Sequence, residues 1–205
     1  MLLWFIEYLT LFFAPANENG LTFYAKLSES GQLLQKTHLI YCSMSEITIE
    51  TYRDINKKDV VELILHIQNV EFSIPITLEL QPDLNAIPGF YQTNNGNFWI
   101  AKIDGKIIGT ISLLDIGDRK GALRKMFVDK NYRGKESGVG QKLLNTLLDW
   151  AKLKGFTEIF LGTTEKFLAA QRFYEKNGFQ EIAKQELPET FPVMEVDIKF
   201  YKISV

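Results

Sequence analysis

Residues 124–144, RKMFVDKNYRGKESGVGQKLL, constrain this chain more than any other stretch. An apolar, aromatic strand runs into a polar turn, and the turn enters a long amphipathic helix past Gly134, Gly138 and Gly140. A strand–turn–helix corner of this kind makes a cradle for phosphate oxygens. Glycines let the backbone approach the anion, successive N–H groups point at it, and the helix N-terminus adds partial positive charge. Two common phosphate patterns fail on spacing: a dinucleotide fingerprint needs a glycine where Leu143 stands, and a Walker A loop needs Gly-Lys-Ser/Thr where Val139 stands. What remains is Lys135-Glu136-Ser137-Gly138-Val139-Gly140, a pattern that alone also fits an ordinary helix start.

The chain has 205 residues, 46% hydrophobic and 23% charged, which is one domain's worth of globular sequence with a full core. A formal net charge of -2 leaves no basic excess for general nucleic-acid binding. The single cysteine, Cys42, rules out an intramolecular disulfide and fits a reducing, cytoplasmic setting. His38 and His66 show no metal-ligand spacing with it, so no metal is expected, and His66 reads as a partly buried structural residue.

Residues 1–43 do not match the rest. Their opening apolar run, broken by Glu7 and Thr10, is too short to span a bilayer. Ala14-Pro15-Ala16 has the outline of a signal-peptidase site, but no basic residue precedes the run. A weak signal or surface anchor, an extension packed on the domain or its partner, and sequence upstream of a natural start at Met44 all remain open. Regular patterning directly after Met44 favours the last. The domain is therefore placed at residues 44–205.

Within it, residues 46–53 alternate as a half-buried strand, and Asn56 caps a helix with Val60, Leu63, Ile64 and Ile67 on one face. Residues 71–92 carry three prolines and Gly89 and read as loop, with at most a short helix after Pro82. Strands 98–103 and 106–114 flank Asp104-Gly105, a type I′ hairpin signature, and strand 121–128 follows. The helix from near Ser137 ends at Gly155; a buried strand at 158–162, a helix from Thr164 to Lys176, and strands near 179–184 and 193–201 complete the order. This is an α/β (α+β) pattern: a mixed, mostly antiparallel sheet with a central parallel pair, flanked by helices, the ligand lying at the carboxyl ends of the parallel strands.

Residues 163–179, TTEKFLAAQRFYEKNGF, are by periodicity an amphipathic helix whose aromatics belong to the core. Together with the Lys135–Gly140 loop, however, A-A-x-R-F-Y-E-K-x-G-F resembles the paired signatures of the GCN5-related N-acetyltransferases (GNAT), in the same order and separated by a helix and a strand. The resemblance covers roughly residues 47–201. It implies an acetyl-CoA-dependent N-acetyltransferase acting on a primary amine by direct attack on the thioester. Met126, Phe127 and Val128 would pair with the pantetheine arm like an added strand, splayed by a bulge from residues 158–162. A backbone N–H near Phe127 or Val128 would polarise the thioester carbonyl. N–H groups of Lys135, Glu136, Ser137, Gly138, Val139 and Gly140 would hold the pyrophosphate, the Ser137 and Gln141 side chains would add contacts, and Arg133 or Lys135 would face the adenosine phosphates. Phe167, Ala170 and Phe173 would line the pantetheine wall, and Tyr174 would be the acid that protonates the departing thiolate.

The chain departs from the family pattern at Lys135, which replaces Gln or Arg, at Glu136, which sets a negative charge by the pyrophosphate, and at Phe167, where relatives often carry asparagine. Strand 123–128 lacks the acid that some relatives keep there. Glu79 is the expected base, with Glu71, Asp115 and Glu158 as further candidates. Phe72, Phe90, Tyr91, Glu71, Glu79 and Asp83 on the loop after the first helix suit a cationic acceptor, a small molecule or a peptide. A homodimer through the edge of residues 193–205 is compatible with the pattern. The rival reading is an acyl-CoA-sensing module on the same fold without turnover.

Overall fold

Two largely apolar strands on either side of Asp104-Gly105, buried on both faces, build the middle of a seven-stranded sheet in the computed structural model. The structure describes residues 46–134 and 136–205, with the backbone of 11–13 and 23–25. The chain divides into two units, Met1–Glu46 and Ile47–Val205. In the first, strands Leu11–Phe13 and Phe23–Ala25 pair antiparallel; the other expectations for residues 1–43, those on His38 and Cys42 included, lie outside the described residues.

The strands of the second unit are β1 (Thr48–Thr51), β2 (Asn97–Ile103), β3 (Lys106–Asp115), β4 (Lys120–Val128), β5 (Glu158–Thr163), β6 (Gln180–Ile182) and β7 (Lys199–Ser204). Its helices are α1 (Lys57–Leu65), α2 (Pro82–Asn85), α3 (Ile87–Tyr91), α4 (Val139–Lys154) and α5 (Leu168–Lys176). The sheet order is β1-β2-β3-β4-β5-β7-β6. Every pairing is antiparallel except that of β4 with β5. The hairpin turn is type I′, since Asp104 and Gly105 have φ of 48° and 79°.

Helices cover both faces. Leu143, Leu144, Leu147 and Ala151 of α4 and Tyr174 of α5 close one core over Ile108, Ile111 and Leu161. On the other face Val60 and Ile64 of α1 with Leu84, Ile87 and Tyr91 pack on Phe98 and Ile100. Phe191, Phe200 and Ile182 extend that layer over Phe160.

Some expectations change. The loop after α1 contains two short helices, α2 and α3, each opened by a proline in its first turn. His66 is exposed, at the start of a wide turn (His66–Glu71) that continues α1. Thr164 does not cap α5, which starts at Leu168 with Phe167 in the cap position. Residues 193–198 are outside the strand, and β7 lies inside the sheet between β5 and β6, so it offers no free edge for a partner. The described edge strand there is the short β6.

Candidate active site

A bulge in β4 creates the site. Thr110 pairs with Phe127 and Ser112 with Arg124, so Lys125 and Met126 together oppose Ile111. The extra residue is accommodated by Lys125 at φ 51°. Two fully buried hydroxyls fix the distortion: Thr110 Oγ1 donates to the Lys125 carbonyl at 2.6 Å and Ser112 Oγ to the Arg124 carbonyl at 2.9 Å. Beyond the bulge β4 leaves its parallel partner. Pairing with β5 covers only Lys120 to Ala122, and the strands diverge where β5 goes on to Thr163.

Val128 turns its backbone toward the slot between them. Asp129 N–H donates to the Ile108 carbonyl, so by antiparallel alternation Val128 points its N–H and carbonyl away from β3, and that carbonyl accepts from Arg133 Nε at 2.7 Å. One end of the slot is the N-terminus of α4. Gly138 takes a left-handed conformation (φ 63°) in its cap position, and the first bond into the helix runs from Lys142 N–H to the Gly138 carbonyl at 2.9 Å. The N–H groups of Val139, Gly140 and Gln141 therefore have no intrahelical partner and face outward with the helix dipole behind them. A Cβ at Gly140 would lie 3.7 Å from Met126 Cε and 3.8 Å from Phe173, so this glycine adjoins the slot.

The other end of the slot is Tyr174. Its ring is buried against Phe173, Phe179 and Tyr201, and its hydroxyl lies 3.5 Å from Met126 Sδ. Burial, and secondarily the charge of Asp197, push its pKa far up. It stays a neutral O–H donor through the physiological range.

The expected cofactor residues Met126, Phe127, Val128, Gly138, Val139, Gly140, Phe173, Tyr174 and Ala170 thus sit on β4, α4 and α5 around this slot; Lys135 lies outside the described residues. Others have partners of their own. The Ser137 hydroxyl donates to the Tyr132 carbonyl, and Gln141 Nε2 donates to Asn145 and Asn177. Arg133 pairs with Glu71 at 2.7 Å under the Phe72 ring, and Glu136 is exposed. Phe167 stacks edge-on against Phe72, 4.6 Å between centroids, and closes the slot toward the loop after α1.

The acids are distributed differently from the expectation of a cationic-acceptor loop. Asp83 is buried, 3.1 Å from Lys125 Nζ, and it accepts a 2.5 Å hydrogen bond from Tyr91. Lys125 also donates to Gln81 at 2.7 Å, and Gln81 donates to Gln68. Burial lowers the Lys125 pKa and Asp83 draws it back; this pair is a core element, closed to an ammonium. Glu158 and Asp115 lie where β4 and β5 are still paired, at the closed end of the sheet. Glu79 stands exposed, its carboxyl held low by a hydrogen bond from Thr77.

Two half-buried charges at the open end went unnoticed in the sequence. Arg124 points from β4 toward the second face, with Nη2 3.0 Å from Met194 Sδ and its guanidinium 5.9 Å from the Phe90 ring. Asp197, just before β7, accepts from Met194 N–H at 3.2 Å and lies over Gly162 of β5, where a Cβ would collide with its carboxylate.

Residues 61–179 match the Acetyltransferase (GNAT) family. The chain belongs to this family. It is 36% identical over 109 residues to the N-acetylaspartate synthetase of Xenopus tropicalis, covering 52% of this chain and 40% of that protein. It thus spans less than half the length of this curated relative. Among solved structures, a GNAT-family acetyltransferase from Staphylococcus aureus Mu50 superposes with a TM-score of 0.75 at 41% identity, covering 78% of this chain and 99% of that one. The PaiA N-acetyltransferase of Thermoplasma acidophilum, solved with coenzyme A, shares the fold at a TM-score of 0.60 and 19% identity, covering 78% of this chain and 99% of that one. The GNAT fold named from the paired sequence signatures is the fold observed. No helix among the described residues is long and apolar enough to cross a membrane.

Proposed function

We propose that this chain is an acetyl-CoA-dependent N-acetyltransferase that acts on a small-molecule primary amine by direct transfer. The observation that carries the reading is the slot itself, with helix N–H groups that lack an intrahelical partner at one end and a buried neutral tyrosine at the other. Acetyl-CoA would supply the thioester carbonyl that the amine attacks.

The residues divide the remaining work. Val139, Gly140 and Gln141 N–H groups bind the pyrophosphate, and Gly138 permits its approach. Val128 offers its N–H to the pantetheine arm, and losing an oxyanion donor from such a strand would raise the barrier by about 2.7–4 kcal/mol. Met126 and Phe173 line the arm's path. Tyr174 holds its proton beside Met126 until the sulfur leaves.

The test is thermal unfolding with and without acetyl-CoA, on the wild type and on Gly138→Glu, followed by acceptor-dependent thiol release. At a hundred times its dissociation constant the ligand adds ~2.7 kcal/mol, a shift of ~5–10 °C at this size. Gly138→Glu places a carboxylate in the cradle and should abolish the shift. No shift in folded wild type refutes the proposal; a shift without thiol release on any amine favours a sensing module.

A further inference from the structure

Arg124 and Asp197 are opposite charges on the open side of the slot, and among the described residues neither forms an ion pair. Both are half-buried, and one residue links them: Met194 gives its N–H to the Asp197 carboxylate and its thioether to Arg124. A guanidinium resting on a thioether and an aromatic ring has weak partners. A carboxylate can displace the sulfur and form the paired, charge-assisted bonds that guanidinium geometry favours. Asp197 has acceptor capacity to spare, since among the described residues its hydrogen-bond donor is the Met194 backbone N–H.

We propose that Arg124 and Asp197 form the acceptor subsite, which takes an amino acid through its carboxylate on Arg124 and its ammonium on Asp197. The inference rests on the acetyltransferase reading and narrows its substrate class. Its position fits the chemistry, because Asp197 lies over Gly162 on β5 and its charge reaches the Tyr174 hydroxyl across the slot. An ammonium cannot attack a carbonyl, so one proton must leave nitrogen first. Asp197 Oδ takes that proton and returns it to solvent. As the C–N bond forms and the C–S bond breaks, nitrogen loses its second proton while sulfur gains one from Tyr174, which is restored by the proton nitrogen released.

The charged and titratable groups facing Asp197 are Arg124 from β4 and Tyr174 from α5. Burial raises the Asp197 pKa, while the Met194 N–H and Arg124 draw it down. The raised proton affinity suits a carboxylate that has to accept a proton. Gly162 is part of the arrangement, since any side chain there would push the carboxylate off β5.

The experiment pairs amino acids with their decarboxylated amines, such as L-phenylalanine with phenethylamine and L-alanine with ethylamine, and adds L-aspartate and L-glutamate. Thiol release is followed with the full chain, after the acetyl-CoA melting shift has established the cradle. The best amino acid should exceed its carboxylate-free partner by at least ~100-fold in kcat/KM, roughly the discrimination expected of a charged hydrogen-bonded pair. Arg124→Gln should raise KM for amino acids at least ~10-fold and leave that for acetyl-CoA alone. Asp197→Asn should lower kcat ~100-fold and remove the acidic limb of the pH profile, with Gly162→Ala giving a milder version of the same defect. Equal use of amines and amino acids, or no acceptor in the panel despite acetyl-CoA binding, overturns the proposal. So does an acidic limb that survives Asp197→Asn or disappears in Glu79→Gln. Loss of the acetyl-CoA shift in wild type would instead remove the reading beneath it.

Discussion

Asp83→Leu gives the most demanding test of the buried network under the bulge. The Asp83 and Lys125 side chains are each 6% exposed and lie 3.1 Å apart. Removing the carboxylate leaves the lysine with Gln81 as its acceptor among the described residues and takes from Tyr91 the oxygen it donates to. Breaking a buried pair by deleting one partner costs about 3–5 kcal/mol. A ceiling comes from the alternative open to the lysine, which is to shed its proton. From ~10.4 to pH 7, at 1.36 kcal/mol per unit, neutralisation costs at most ~4.6 kcal/mol. The two routes agree, so urea or thermal unfolding should show a loss of ~3–5 kcal/mol, or ~6–20 °C. The pH dependence adds a second check. In the variant Lys125 is neutral when folded and protonated when unfolded, so the unfolded state binds more protons and stability rises with pH up to ~10. From pH 7 to 9 the gain should approach ~2.7 kcal/mol. Asp83→Leu combined with Lys125→Met should recover more than half of the loss, leaving mainly the Tyr91 hydroxyl without its carboxylate acceptor, about 1–3 kcal/mol. A single variant that loses under ~1 kcal/mol, or whose stability is flat with pH, would refute the argument that this pair is closed off from solvent.

Other variants separate structure from catalysis. Tyr174→Phe should cut kcat ~100-fold with little change in melting temperature, because among the described residues the hydroxyl's hydrogen-bond partner is the weak acceptor Met126 Sδ; steady-state kinetics beside a thermal melt will show both. Thr110→Val removes the hydroxyl that holds the Lys125 carbonyl, so it should cost ~1–3 kcal/mol and raise KM for acetyl-CoA as the bulge relaxes. Asp197→Asn should melt above wild type at pH 7. Its folded pKa is raised, so the folded state binds more protons than the unfolded one from ~3.9 up to that pKa, and wild-type stability falls as pH rises through this window. The advantage of the variant should therefore vanish in acid, as a melting series across pH would record.

The legible parts of this molecule are those specified by neighbours in sequence. Asp104-Gly105 demands two left-handed residues in a row, and the turn that results is the one observed. The spacing Gly138-Val139-Gly140 in front of a leucine stripe sets a helix N-terminus two residues from where it was expected, with Val139 buried and Gly140 on the slot. What was hidden depends on partners far away in the chain. RKMFV reads as an uninterrupted strand, and nothing within it announces that Lys125 is the extra residue; that is decided by Thr110 and Ser112 on β3. Asp83 looked like an acid of an open loop, and only the cation delivered by the bulge makes it a core residue. Asp197 belongs to no motif, and its signal is a missing side chain across the sheet at Gly162.

One inserted position accounts for both halves of the site. In a regular strand successive side chains alternate faces, so Arg124 and Lys125 would lie on opposite sides of the sheet. The bulge resets the count, and both cations emerge on the face covered by α2, α3 and the residue 187–198 loop. Lys125 is consumed there by Asp83, which anchors α2 against β4. Arg124 rests on Met194 and Phe90, softer partners that a ligand can replace. The same extra residue bends β4 off β5 and leaves Val128 N–H facing the gap. Opening the slot, locking the helix above it and presenting a cation at its mouth are then consequences of one register shift. Straightening β4 would consequently disturb cofactor affinity, acceptor affinity and stability together, whereas changing Arg124 alone touches only the second.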